Sequence, residues 1–144
     1  MPSGEARPDV VGGPAPLIHT SGMRHLALRV RNLPAVRAFY SEVFGMRPVW
    51  EPDPDNVYLS SGIDNLALHR VDDDHLGTGA QVLDHLGFFV GSAHEVRRGA
   101  EALRARGVRI VHEPREHRDG SWSLYCADPD GNLVQILYDP NTNP

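Results

Sequence analysis

The chain consists of one unit written twice, and this repeat restricts its fold more than any other feature. His25-Leu-Ala-Leu-Arg-Val in the first half matches His85-Leu-Gly-Phe-Phe-Val in the second. Two further pairs follow in the same order: Trp50-Glu-Pro with His112-Glu-Pro, and Asn65-Leu-Ala-Leu with Asn132-Leu-Val-Gln. Three matches in one order indicate two copies of a single supersecondary unit.

The first copy predicts one helix preceded by one strand and followed by three. The helix is predicted because apolar residues recur in steps of three and four, at Leu33, Val36, Phe39, Tyr40, Val43 and Phe44. Asn32 suits its N-cap, Pro34 its first turn and Gly45 its C′ position. The predicted strands cover residues 23–30, 47–51, 56–60 and 64–71.

The second copy predicts the same order of elements. A strand at 83–90 precedes Ser92-Ala-His-Glu95, a capping box that begins a helix ending at Gly107. Asp128-Pro-Asp-Gly131 is typical of a tight turn between two strands. The strands after the helix are predicted at 108–113, 121–127 and 132–138. Both copies are therefore βαβββ units, which predicts an α+β fold.

Length and composition fit a single ordinary domain. The chain has 144 residues, of which 40% are apolar and 23% charged, as in soluble globular proteins. Residues 1–20 are rich in Pro and Gly and predict a flexible arm. We therefore expect one domain over 21–140, with modules at about 23–72 and 82–139, and a short tail over 141–144.

The net charge, the lengths of the apolar runs and the cysteine count bear on the partners and the compartment of the protein. A net charge of −5 disfavours nucleic acid, because phosphate binding needs a basic surface. No apolar run approaches the ~20 residues of a membrane span, and the first residues do not form a secretory signal. Cys126 is the only cysteine, which rules out an internal disulfide and fits a reducing compartment. These features predict a cytoplasmic protein without a nucleic-acid or membrane partner.

The two copies together resemble the vicinal-oxygen-chelate superfamily, which includes glyoxalase I, extradiol dioxygenases, methylmalonyl-CoA epimerase, and the fosfomycin and bleomycin resistance proteins. The resemblance spans residues 23–139 and is carried by His25-Leu-Ala-Leu-Arg-Val, Ala38-Phe-Tyr-Ser-Glu-Val-Phe-Gly-Met46, His85-Leu-Gly-Phe-Phe-Val and Asp128-Pro-Asp-Gly-Asn-Leu-Val-Gln-Ile-Leu137. It implies a glyoxalase-like fold, in which two βαβββ modules form curled mixed sheets around a shared cleft. It also implies a homodimer, since relatives commonly pair or swap modules.

Many relatives hold one divalent cation in this cleft, with ligands from the first and last strand of each module. His25 and His85 match the first-strand ligand positions. Side chains alternate in direction along a strand, so a histidine at either position can face the cleft while its neighbours pack under a helix. The resemblance therefore implies that His25 and His85 are metal ligands.

The last strand of the first module offers His69 as a third ligand. A gap-free alignment with the second module places Leu68 at the ligand position, whereas a one-residue slip places His69 there. Alternation favours the slip, because Leu66 and Leu68 would then face the helix while His69 faces the cleft. We therefore predict His69 as a ligand.

Gln135 stands where metal-dependent relatives usually carry Glu. Its amide oxygen can bind a cation, but an amide is neutral and cannot accept a proton at neutral pH. The base must then be Glu51, Glu113 or a metal-bound hydroxide. His25, His69 and His85 with Gln135 could hold Zn, Ni, Co, Mn or Fe(II), because the number of imidazoles alone does not select the metal.

Two functions are compatible with these residues. The first is a metalloenzyme whose divalent cation acts as a Lewis acid on two vicinal oxygens of a small substrate, in lyase, isomerase or ring-opening chemistry. The alternative is a metal-free protein that sequesters a planar ligand, as the bleomycin resistance relatives do. Four aromatic residues are predicted to line the pocket: Trp50, Tyr58, Trp122 and Tyr125. His112 and His117 are interpreted as surface residues.

Overall fold

The computed structural model describes residues 15, 17, 19, 23–72 and 83–141. Most of the predicted arm, residues 73–82 of the connector and the end of the predicted tail lie outside the described residues. Neither helix of the described chain is long and apolar enough to cross a membrane.

The first module forms a four-stranded sheet with one helix. Its elements are β1 (His25–Val30), α1 (Leu33–Phe44), β2 (Arg47–Asp53), β3 (Asn56–Ser60) and β4 (Asn65–Arg70). The strand order is β1-β4-β3-β2, with β1 parallel to β4 and the other pairs antiparallel. The predicted helix signals are confirmed, because the Asn32 side chain accepts the backbone N–H of Ala35 and Gly45 ends the helix with φ 70°.

The second module repeats this topology. Its elements are β5 (Leu86–Phe89), α2 (Ala93–Ala105), β6 (Ile110–Glu116), β7 (Trp122–Ala127) and β8 (Leu133–Tyr138), with strand order β5-β8-β7-β6. The Ser92 side chain caps α2 by accepting the N–H of Glu95. β5 is shorter and β6 is longer than predicted, but every predicted element exists. The predicted fold class is confirmed.

The pairing registers allow the two sheets to be compared position by position. The central row of the first sheet, as we call it, runs through Ala27, Ala67, Tyr58 and Trp50. The central row of the second runs through Gly87, Gln135, Tyr125 and His112. His25 and His85 each lie two residues before the first member of their row. The strand pairing therefore defines which residue of the first module is equivalent to which residue of the second.

Each sheet has an inner face, covered by helix, and an open face on the other side. Alternate residues of the strands face inward and join one core that extends through both modules: Leu28, Val30, Leu66 and Leu68 in the first, and Leu124, Cys126, Val134 and Ile136 in the second. The residues between them face the opposite way, as the two-residue period of a strand requires. The open faces therefore carry His25, His69 and Gln135.

Helix α1 connects the two modules. The ring of Phe44 stacks on Phe88 of β5 with 4.1 Å between centroids, and the Tyr40 hydroxyl donates to Asp128. Within its own sheet α1 lies mainly against β4, whereas α2 lies against β6, β7 and β8. Every residue of β2 is exposed. The first sheet is consequently less covered than the second.

Candidate functional site

Tyr125 is the centre of the open face of the second sheet. The His85 and His112 rings contact it edge-on from two sides, with centroid distances of 5.3 and 5.4 Å. Gln135 lies opposite Tyr125 on the neighbouring strand. Polar and aromatic groups therefore cluster on this face, as they do in small-molecule sites.

His85 has one ring nitrogen engaged and one available. Its Nδ1 lies 2.6 Å from an Asp84 carboxylate oxygen. Because an ionised carboxylate can only accept, Nδ1 carries the proton and Nε2 presents a lone pair. Metal-binding histidines are commonly oriented by such a bond.

His25 has the same arrangement in the first module. Its Nδ1 lies 2.8 Å from Oδ1 of Asn65, the residue opposite it on β4. The amide oxygen accepts from Nδ1, which leaves Nε2 as an acceptor. His25 and His85 therefore match in position and in the nitrogen that they present.

His69 does lie on the open face, but the register excludes it as a co-ligand of His25. β1 and β4 are parallel with His25 opposite Asn65, so His69 lies four residues further along. At about 3.3 Å per residue, this is a displacement of ~13 Å. Ala67, which has no donor atom, is the true equivalent of Gln135, because both lie opposite the residue two after the histidine. Neither Leu68, from the gap-free alignment, nor His69, from the one-residue slip, is therefore the equivalent of Gln135.

A three-histidine metal site is not formed within the described chain. No three His, Cys, Asp or Glu side chains among the described residues lie close enough to hold a metal ion. The predicted cluster of His25, His69 and His85 is therefore corrected. That His25, His85 and Gln135 are ligands stays a prediction, and their two imidazoles and amide oxygen are neutral donors of a kind that suits a borderline divalent ion.

His69 instead belongs to a hydrogen-bonded relay that sequence reasoning missed. The Asn56 amide nitrogen donates to both carboxylate oxygens of Asp53, at 2.9 and 3.1 Å. This fixes the amide so that its oxygen lies 2.6 Å from His69 Nδ1. Nδ1 must then carry the proton, and Nε2 is the acceptor. No spacing in the sequence indicates these contacts, because they depend on the β2–β3 turn and the β3–β4 register.

Two of the predicted pocket aromatics form a pair on the first open face. The rings of Trp50 and Tyr58 lie 4.9 Å apart, and Trp50 is 58% exposed. Trp122, in contrast, lies on an inner face, where the Arg97 guanidinium sits 5.0 Å from its ring centre. The prediction for Trp122 is wrong because Trp122 lies three positions before Tyr125, and an odd offset along a strand reverses the face.

His112 is the open-face residue that the sequence interpretation undervalued. The repeat contained the signal, since His112-Glu-Pro matches Trp50-Glu-Pro and Trp50 was itself a pocket candidate. His117 also has a defined contact, because its Nε2 lies 2.7 Å from Oγ of the buried Ser123.

Comparison with known proteins gives a family match over most of the chain. The model of the Glyoxalase/Bleomycin resistance protein/Dioxygenase superfamily matches residues 22–136. The chain is similar to a biphenyl-2,3-diol 1,2-dioxygenase of Sphingomonas paucimobilis, with 30% identity over 88% of this chain and 42% of the relative. It is 29% identical to a putative lactoylglutathione lyase of Brassica oleracea var. gemmifera, over 78% and 43% respectively. The chain spans less than half the length of these relatives.

Solved structures share the fold. A lactoylglutathione lyase from Agrobacterium tumefaciens is 25% identical with a TM-score of 0.67, over 82% of this chain and 93% of that one. A glyoxalase-related enzyme from Fulvimarina pelagi is 25% identical with a TM-score of 0.64, over 84% and 90%.

Proposed function

The chain belongs to the Glyoxalase/Bleomycin resistance protein/Dioxygenase superfamily, and on this premise we propose that it acts on a small molecule with two vicinal oxygens through a divalent cation held by His25, His85 and Gln135. One observation carries the proposal. The two histidines occupy equivalent positions in the repeated module, and each has Nδ1 bound to a side-chain oxygen while Nε2 is available.

When bound, the cation supplies Lewis-acid polarisation of the substrate oxygens. His25 and His85 would offer Nε2, and Gln135 its amide oxygen. Because all three are neutral, the cation keeps its full charge toward the substrate, which favours anionic oxygens. The relatives named as a lyase and a dioxygenase support this general class of reaction.

We further propose that a second copy completes the site in a homodimer. Within the described chain, β1 pairs only with β4 and β5 only with β8, so both are edge strands. The two modules of one chain meet through side chains of α1, and the described strands of the two sheets do not pair with each other. Unpaired strand edges favour pairing with another chain. In this arrangement His25 of one copy faces His85 and Gln135 of the other.

Elemental analysis of untagged protein tests the cation. We expect about one equivalent of metal per pair of histidines, lost in His25→Ala and in His85→Ala. His69→Ala is the matched control and should retain the metal, because position 69 lies ~13 Å from the level of His25 along the strands. Circular dichroism checks the fold, and light scattering checks the dimer. Retention of metal by both His25→Ala and His85→Ala contradicts the proposal.

The second candidate function is that of a metal-free binding protein. It is favoured by the residues at the equivalent positions 67 and 135. Ala67 provides no donor and Gln135 provides no charge, so neither module supplies a carboxylate there. Trp50, more than half exposed, could stack on a planar ligand. This candidate is supported if the protein takes up no Zn, Ni, Mn or Fe(II), while a planar aromatic ligand quenches Trp50 fluorescence.

A further inference from the structure

We infer that Arg29 and His69 form a second binding subsite on the first open face, which takes the acidic end of a 2-hydroxy carboxylate. The inference rests on the proposed function in one respect, namely that the substrate lies on the open faces. It gives His69 a role other than metal binding, and it specifies the chemical class of the ligand.

The two residues are direct neighbours. Arg29 of β1 lies opposite His69 of β4 in the parallel register, on strands about 4.8 Å apart. Leu28, Val30 and Leu68 beside them are buried in the core. Alternation therefore places both side chains together on the open face, where one small ligand can contact both.

The Arg29 guanidinium is available to bind an anion. It is exposed and has no hydrogen-bond or ion-pair partner within the described part of the chain, whereas several other arginines bind carboxylates there: Arg37, Arg70, Arg104 and Arg106. A free guanidinium matches the geometry of a carboxylate with two parallel N–H donors. Arg29 therefore selects for a carboxylate group.

His69 adds a hydrogen-bond acceptor beside this anion site. The Asp53–Asn56 relay holds the proton on Nδ1, so Nε2 accepts from a ligand hydroxyl. A hydroxyl on the carbon next to the carboxylate can reach Nε2 while the carboxylate binds Arg29. If the ligand reacts, its O–H bond breaks, the proton forms an N–H bond at Nε2, and the electron pair stays on the ligand oxygen near Arg29. His69 would thus act as a proton acceptor, a role that the neutral amide of Gln135 cannot fill.

The first test uses protein treated with a chelator, so that the result does not depend on a metal. Nitrogen-15 NMR should show a protonated Nδ1 and an unprotonated Nε2 in neutral His69. Asn56→Leu should remove this preference, because the amide acceptor is gone. A neutral His69 with its proton on Nε2 overturns the inference.

The second test compares three probes: mandelate, phenylacetate without the hydroxyl, and benzyl alcohol without the carboxylate. Mandelate should bind about tenfold more tightly than phenylacetate or benzyl alcohol, since each of these two lacks one hydrogen-bonded group. Arg29→Gln should abolish the preference for the carboxylate, and His69→Phe the preference for the hydroxyl. Arg24→Gln, an exposed change near the start of the same strand, is the control and should change neither.

The inference is overturned if the three probes bind with equal affinity. It is also overturned if the NMR chemical-shift changes induced by mandelate are confined to His85, Tyr125 and Gln135. Mandelate binding at Arg29 and His69 in metal-free protein supports it even where the metal analysis fails. The cation site and this subsite can therefore be judged separately.

Discussion

The Tyr40 hydroxyl lies 2.9 Å from a carboxylate oxygen of Asp128 and donates a hydrogen bond to it inside the core. The bond joins α1 of the first module to the turn that precedes β8 of the second. Burial, followed by the charge of Asp128, raises the pKa of Tyr40 far above its usual value, so the hydroxyl stays protonated. The residue that connects the modules is therefore a permanent donor.

Tyr40→Phe should lower the free energy of unfolding by about 1–3 kcal/mol, because a buried carboxylate loses a hydrogen bond. Urea denaturation followed by circular dichroism measures this change. Tyr138→Phe, which removes a hydroxyl from a partly buried tyrosine, is the control and should have a smaller effect. Equal losses in both variants would mean that the Asp128 contact contributes nothing specific.

Gln135→Glu should tighten binding of a divalent cation by about tenfold or more, because it replaces a neutral oxygen donor with a charged one. Isothermal titration calorimetry with Zn or Mn measures the affinity. Arg98→Gln on the exposed surface of α2 changes the net charge by the same amount and should leave the affinity unchanged. If Gln135→Glu behaves like this control, residue 135 does not contact the cation.

The two tryptophans should respond differently to removal. Trp122→Ala should cost about 3 kcal/mol of stability, since Trp122 packs on the core under Arg97. Trp50→Ala should cost less than about 1 kcal/mol, because Trp50 is 58% exposed. Acrylamide should quench Trp50 more strongly than Trp122, which single-tryptophan variants can measure. A larger stability loss for Trp50→Ala would contradict the assigned faces.

Cys126 should be chemically inert in the folded protein. Burial, with a smaller contribution from Asp128, raises the pKa of its thiol from 9.0 to about 11, so little thiolate forms at neutral pH. Iodoacetamide at pH 8 should modify it only after denaturation, as mass spectrometry would show. Rapid modification of native protein would contradict its burial.

The same shift has a pH consequence. The folded state holds the Cys126 proton more tightly than the unfolded chain, so its stabilising contribution is complete below pH 9.0 and is lost as the pH rises toward about 11. Cys126→Ala should therefore lose less stability than the wild type over this interval. Tyr40 is present in both proteins, and Cys126 makes the smallest contribution to the raised pKa of Tyr40, so most of the Tyr40 contribution cancels in the comparison.

The fold was predictable because its signals are local. Asn32, Gly45 and the Ser92 capping box mark helix ends through contacts within a few residues. Apolar periodicity fixed which residues of the strands face inward. The same signals occur in both modules, so the prediction for one module supports the prediction for the other.

The candidate site was only partly predictable, because it depends on register. His25 and His85 were proposed from the repeat and Gln135 from the resemblance to the family, but Ala67 is recognised as the equivalent of Gln135 only when strand pairing is known. The prediction for Trp122 was wrong for a related reason, since its odd offset from Tyr125 along β7 places the two side chains on opposite faces. The relay of Asp53, Asn56 and His69 depends on a turn and two strand pairings that no local pattern specifies.

The helices cover the two sheets to different extents, and this difference determines which strand opens first in local unfolding. β2 is exposed along its whole length and lies at a sheet edge beyond the main contacts of α1, whereas α2 lies across β6. Amide protons of β2 should exchange with solvent long before those of β6, through small openings that leave the core intact. Trp50, carried on that strand, thus rests on backbone that opens more readily than the backbone under His112, its counterpart on β6.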